Sequence, residues 1–156
     1  MDAGFVNAYL FAVQNVFKTM LRVQISMGKP ALKTNRLTSA EVTGVLGFVG
    51  DKRGTFSLAF TKKSALYIYQ TMVGEAYESI TPEVVDAIGE LTNIISGQFR
   101  VEIEKQGYKL SAGLPTVVVG QNVEINFITK VPVIALPFTF DIMGEAGHLF
   151  LDFSFE

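Results

Sequence analysis

The sequence predicts an α+β fold in which long helices pack on antiparallel β-hairpins, the two halves forming a pseudo-twofold internal repeat. Three observations predict it. Residues 81–106 place Val84, Ile88, Leu91 and Ile95 at three- and four-residue steps, the stripe of a buried helix face. Two pairs of alternating apolar runs are each joined by a glycine-bearing loop, as hairpins are. The second runs of those pairs, 54–60 and 147–153, share a glycine followed by apolar residues at alternate positions.

The first predicted element is a helix over 2–22 with Phe5, Tyr9, Val13, Val16 and Met20 on one side. A strand-like stretch follows over 23–26. Runs 42–49 and 55–60 flank Gly50-Asp51-Lys52-Arg53-Gly54 and read as a hairpin. Gly44, Gly47, Gly50 and Gly54 do not make a phosphate-binding loop, because no Lys-Ser or Lys-Thr follows them and no helix opens there. A shorter helix over 62–73 stops at Gly74. The long helix comes next: Thr81 can cap it, Pro82 suits its first position and Glu83 favours its positive end. Gly107 can supply a left-handed stop. Strands are predicted over 110–119, 123–128, 133–140 and 148–153, with Met143-Gly144-Glu145-Ala146-Gly147 closing the second hairpin. Pro132 and Pro137 cannot donate to a ladder, which places 133–140 at an edge or on a bulge. Aligning Asn15 with Asn93 puts Ala12 where Glu90 stands, so the first helix reads as a degenerate copy of the long one.

At 156 residues the chain fits one domain, 1–156, with a core that needs no staples. Absence of cysteine excludes a disulfide framework and cysteine chemistry. His148, the one histidine, reads as an exposed strand position, which disfavours histidine metal sites and a Ser-His-Asp arrangement. A net charge of −2 argues against a nucleic-acid surface. Asn7, Gln14, Asn15 and Lys18 interrupt the apolar N-terminal run, so no membrane span is predicted, and the start lacks the basic character of a signal peptide. A cytoplasmic location is expected. Half the residues are hydrophobic (49%), with thirteen phenylalanines, which suggests a generous core and a buried subunit contact.

About a quarter-turn from the buried stripe of the long helix lies a second one: Asp86, Glu90, Asn93 and Gly97. Glu90 and Asn93 are helix-surface neighbours, an adjacent acid and amide. Glu83, Asp86 and Glu90 concentrate negative charge, and no Lys or Arg stands three or four positions from Glu90. Gly89, Ser96 and Gly97 flank the pair. A helical glycine costs roughly 1 kcal/mol against alanine, so these positions clear space for something close, a sheet of the same molecule or a partner's backbone. Arg100, Glu102, Glu104 and Lys105 allow ordinary exposed ion pairs such as Arg100–Glu104. Periodicity alone leaves a plain solvated face open.

In order along the chain, Asp86-x-x-x-Glu90-x-x-Asn93 is followed by Pro115 after twenty-one residues. Together with the opening run NAYLFAVQNVFKTM (7–20) and the tract GLPTVVVG (113–120), this resembles the CheC/CheX/FliY chemotaxis phosphatases, CheX branch. The resemblance covers essentially the whole chain and implies a CheC-like fold. It implies hydrolysis of the aspartyl-phosphate on a CheY-like response regulator, with Asn93 aligning water and Glu90 contacting the receiver's lysine. Asp86 would support the site directly, or cap or orient within the helix, and Gly89, Ser96 and Gly97 would admit the receiver's loops. It further implies no cofactor of the protein's own, Mg²⁺ on the partner receiver, and a homodimer pairing through β-strands. A non-catalytic adaptor docking on a receiver or flagellar-switch protein is the alternative, and a small-ligand domain would need a deep internal pocket.

Overall fold

The computed structural model describes residues 3–156, so the predicted helix start at Asp2 lies outside the described residues. Helix α1 (Ala3–Val16) buries Phe5, Tyr9, Val13 and Val16 as their spacing requires. It runs on into a π-helical turn, Phe17–Leu21, ended by Arg22 in the left-handed region (φ 54°). A π turn holds more residues than an α turn and shifts the phase of the face. Phe17 and Leu21 therefore enter the core, while Met20, predicted to join the buried stripe, stays 45% exposed.

After two short strands, β1 (Ile25–Met27) and β2 (Ala31–Lys33), come the hairpin β3 (Val42–Gly50) and β4 (Gly54–Phe60), then helix α2 (Lys62–Val73). Helix α3 (Pro82–Lys105) opens the second half, followed by short strands β5 (Leu110–Ala112) and β6 (Thr116–Val119) and the hairpin β7 (Val133–Ile142) and β8 (Glu145–Phe155). The strands form one antiparallel sheet in the order β1-β7-β8-β4-β3-β5, with β2 also against β7 and β6 also against β3. Each half is thus a helix, two short strands and a long hairpin, and each half's short strands edge the other's hairpin. β4 and β8 meet at the centre, with Ser57 opposite Asp152. That is the predicted pseudo-twofold arrangement, with α2 standing outside it.

Alternation along the central strands sends Phe56, Leu58 and Phe60, and Leu149, Leu151 and Phe153, into the core under the helices. Aromatic rings join the layers: Tyr9 of α1 stacks on Phe99 of α3 at 3.8 Å between centroids, and Phe99 meets Phe48 of β3 at 5.6 Å. Several of the phenylalanines noted in the composition are spent here. Burial pushes the Tyr9 phenol well above its ordinary pKa, and its hydroxyl has no hydrogen-bond partner among the described residues.

Four strand expectations are corrected. The predicted 110–119 strand is two, because Gly113, Leu114 and Pro115 oppose only Leu46 and Gly47 of β3, a bulge of one residue. Residues 123–128 are not a strand; beyond one bridge from Glu124 to Leu37 they cross the polar outer face of the sheet, where Ile128 N donates to Thr55 Oγ1. β7 is paired on both sides, so Pro137 is not at an edge; the bulge alternative is met on the neighbouring side, where residues 28–30 oppose only Leu136 and Pro137. Its outer neighbours stop at Met27 and restart at Ala31, and Gly28 N donates to Pro137 O at 2.7 Å in the interval. N–H and C=O of one residue point the same way in an antiparallel strand, so the missing donor faces this gap. The second hairpin turns on two residues, Met143 (φ 49°) and Gly144 (φ 91°), which starts β8 at Glu145.

Candidate active site on helix α3

The capping signals place α3 as predicted. The Thr81 hydroxyl accepts from Val84 N, Pro82 occupies the first turn, and Gly107 takes the left-handed conformation (φ 95°) just past the end. Val84, Ile88, Leu91 and Ile95 are fully buried, continued by Phe99 and Ile103. With that stripe held against the sheet, the rotation of the helix is set. Asp86, Glu90 and Asn93 are consequently exposed. At 3.6 residues per turn, Glu90 and Asn93 project about 60° apart on adjacent turns.

The backbone beneath them is seated by two close approaches. Gly44 of β3 lies directly under Thr92, so near that a Cβ added to it would meet the Thr92 side chain. Thr92 is buried and donates to Ile88 O at 2.7 Å. Gly89 faces β6, where an added Cβ would meet Val117 Cγ2 at 3.3 Å. Of the three flanking positions, expected to clear space for the chain's own sheet or for a partner, Gly89 clears it for the chain's own sheet. Ser96 is also internal: it is buried, and its hydroxyl donates to Asn93 O at 2.8 Å. Gly97 alone opens onto free space. Pro115 ends the β5–β6 bulge. Val117 lies beside Gly89, and Arg100 Nε donates to Leu110 O at 3.0 Å, so the bulge runs alongside the Asn93–Gly97 turn. That bond replaces the expected Arg100–Glu104 pair, while Lys105 pairs with Glu102 at 3.0 Å.

Nothing in the sequence singles out Thr92, and Gly44 stands there only as one of four glycines that do not make a phosphate-binding loop. The available signal was a polar residue between Leu91 and the exposed Asn93, with glycine in a strand that needed none for a turn.

Among the described residues Glu83, Asp86 and Glu90 form no ion pair, and neither the Glu90 carboxylate nor the Asn93 amide has a hydrogen-bond partner. An acid and a carboxamide held outward on a rigid helix and left unsatisfied can accept and donate to another molecule. The corresponding place on α1 cannot. Ala12 is buried there, and Asn15 Nδ2 is committed to Gln98 Oε1 at 2.9 Å. A concavity of about 530 Å³ lies over the outer face of the sheet, lined by Lys33, Ser57, Thr129 and Asp152, but it includes none of these α3 residues.

Residues 42–139, which contain Glu90, Asn93 and Pro115, match the model of the family described as Chemotaxis phosphatase CheX. The chain belongs to this family. It is a phosphatase of the CheX branch with a CheC-like α+β fold. Across 137 residues it is 28% identical to the CheY-P phosphatase CheX of Thermotoga maritima, covering 85% of this chain and 88% of the relative. The crystal structure of the chemotaxis protein CheX from Desulfovibrio desulfuricans is similar at a TM-score of 0.87 and 34% identity, over 97% of this chain and 99% of that one. CheX from Borrelia burgdorferi, solved in a complex with CheY, BeF3 and Mg²⁺, shares the fold at a TM-score of 0.78 and 23% identity, over 97% of each chain. The matched span includes α3 with its exposed acid–amide pair and excludes α1.

Proposed function

We propose that the protein, acting as one unit over 1–156, accelerates hydrolysis of the aspartyl-phosphate of a CheY-like response regulator. The observation that carries this is the unpartnered Glu90–Asn93 pair, exposed on a helix whose opposite face is pinned to the core. Phosphoryl transfer is won by positioning and charge stabilisation, so little covalent machinery is required. Asn93 inserts beside the phosphoryl group, and its carbonyl accepts a hydrogen bond from water in line with the scissile bond. Water attacks phosphorus, the bond to the aspartate oxygen breaks, and carboxylate and inorganic phosphate leave. Glu90 meets the receiver's lysine and sets the docked register. Asp86 extends the acidic wall beside it, and Pro115 shapes the bulge on the Asn93 side. The Mg²⁺ in this reaction belongs to the receiver, and in this reading the protein works in the cytoplasm beside it.

Mixing the protein with candidate phosphorylated receivers, with and without chelation of Mg²⁺, tests the reading. One receiver should lose phosphate faster, and Glu90→Ala should weaken both its binding and its turnover by about tenfold. Binding without acceleration by the wild-type chain would instead identify an adaptor.

We also read the chain as a homodimer. Support comes from Leu32 and Val131, both exposed beside Pro132 at the β2 margin of the sheet, an apolar surface at a strand edge. Sedimentation should give twice the 17.1 kDa chain mass; a monomer at micromolar concentration removes the dimer.

A further inference from the structure

The surface beside Glu90 is grooved. Met20, Tyr69, Met72 and Val73 face Asp86 and Glu90 across a concavity of about 490 Å³. Two local irregularities build the apolar wall. The π turn leaves Met20 facing outward, and Gly74, left-handed at φ 86°, ends α2 so abruptly that Val73 is 51% exposed. The wall across from it carries Glu83, Asp86 and Glu90, none paired with a cation among the described residues, and no basic side chain lines the groove.

We propose that this groove is a second docking element for the receiver, seating an apolar side chain flanked by lysine or arginine, and that it selects which receivers are substrates. The proposal rests on the phosphatase reading above. The occupant follows from continuity and from charge. Glu90 belongs both to the groove and to the acid–amide pair, so a partner that brings its phosphoryl group to Asn93 covers the groove as well. Three uncompensated carboxylates against an apolar wall match an apolar side chain with basic neighbours and disfavour an acidic one. Methionine is flexible and polarisable, so the wall can adapt to differing side chains. Asn93 is not among the residues lining the groove, so apart from Glu90 its walls hold ground state and transition state equally. It therefore acts on KM and leaves kcat in place.

Val73→Glu and Met20→Glu change exposed positions, so both variants should fold, which thermal melting checks. Steady-state kinetics on the phosphorylated receiver should show KM raised at least about tenfold, with kcat within about twofold of wild type. Binding to the same receiver loaded with beryllofluoride and Mg²⁺ should weaken in parallel. Glu83→Lys should also weaken binding. Asn93→Ala should do the reverse, losing kcat while still binding the loaded receiver. Unchanged KM in both groove variants overturns the groove, whatever Asn93→Ala does. If Asn93→Ala keeps full kcat, the assignment of the active site fails, and the binding measurement still decides the groove. Should Val73→Glu change the sedimenting mass while receiver binding stays intact, the groove serves a second copy of this chain and the proposal is wrong.

Discussion

Asn93→Ala is expected to lower the rate of receiver dephosphorylation about 100-fold or more while leaving the melting temperature and receiver binding near wild type. The fold is indifferent because the Asn93 side chain has no protein partner and lies on the exposed face; the helix is held by Val84, Ile88, Leu91 and Ile95 from the other side. Ser96 bonds to the Asn93 carbonyl rather than to its side chain, so that contact survives the change. In the proposed reaction, what disappears is the acceptor that orders the attacking water. Asn93→Asp is nearly the same shape and should be as inactive, since a second negative charge beside the phosphoryl oxygens repels them where a neutral amide does not. Phosphate release under single-turnover conditions reads both variants. Wild-type rates in Asn93→Ala would remove this residue from the reaction.

The second large effect lies under the site. Gly44→Ala should destabilise the protein by about 1–3 kcal/mol, because the new methyl group is driven into Thr92 and the helix must lift from β3. For a chain of this size that corresponds to a fall in melting temperature of roughly 2–10 °C. Activity should fall further than stability explains, since Thr92 adjoins Asn93 and a displacement of α3 carries the Glu90–Asn93 pair with it. Thr92→Ala alone gives up a buried hydroxyl bonded to the Ile88 carbonyl. The double variant Gly44→Ala, Thr92→Ala should be more stable than the sum of the two, with a coupling of about 1 kcal/mol or more. Additive losses would mean that the two residues do not share the space.

Local pattern and long-range packing contributed separately to what could be read. Helix α3 was legible end to end because its cap, its first-turn proline, its buried stripe and its terminal glycine are all short-range signals that agree. The outward direction of Glu90 and Asn93 followed from the stripe without further input, since 3.6 residues per turn relate one face to the other. Both hairpins were legible for the same reason, two-residue alternation bounded by glycine. Errors fell where a residue's role depends on what lies across space. Pro137 suggested an edge or a bulge, and only the sheet decided for the bulge, placing it on the neighbouring strands β1 and β2. Residues 123–128 alternate like a strand but meet only the loop at 36–38, through Thr38 N to Val123 O and Ile125 N to Arg36 O, before Ile128 N donates to Thr55 Oγ1 on the sheet. For Ser96 and Gly89 the sequence left the chain's own sheet and a partner's backbone both open, and packing shows each against the chain's own interior.

By itself, then, the order of residues determined that one rigid helix would present a carboxylate and an amide to solvent, because periodicity and capping are properties of contiguous residues. Only the tertiary structure decided what surrounds them. The Gly44 seat, the bulge at Pro115 and the groove between Met20 and Glu90 each join segments far apart in the chain. No local rule relates such segments; sheet register and helix packing do.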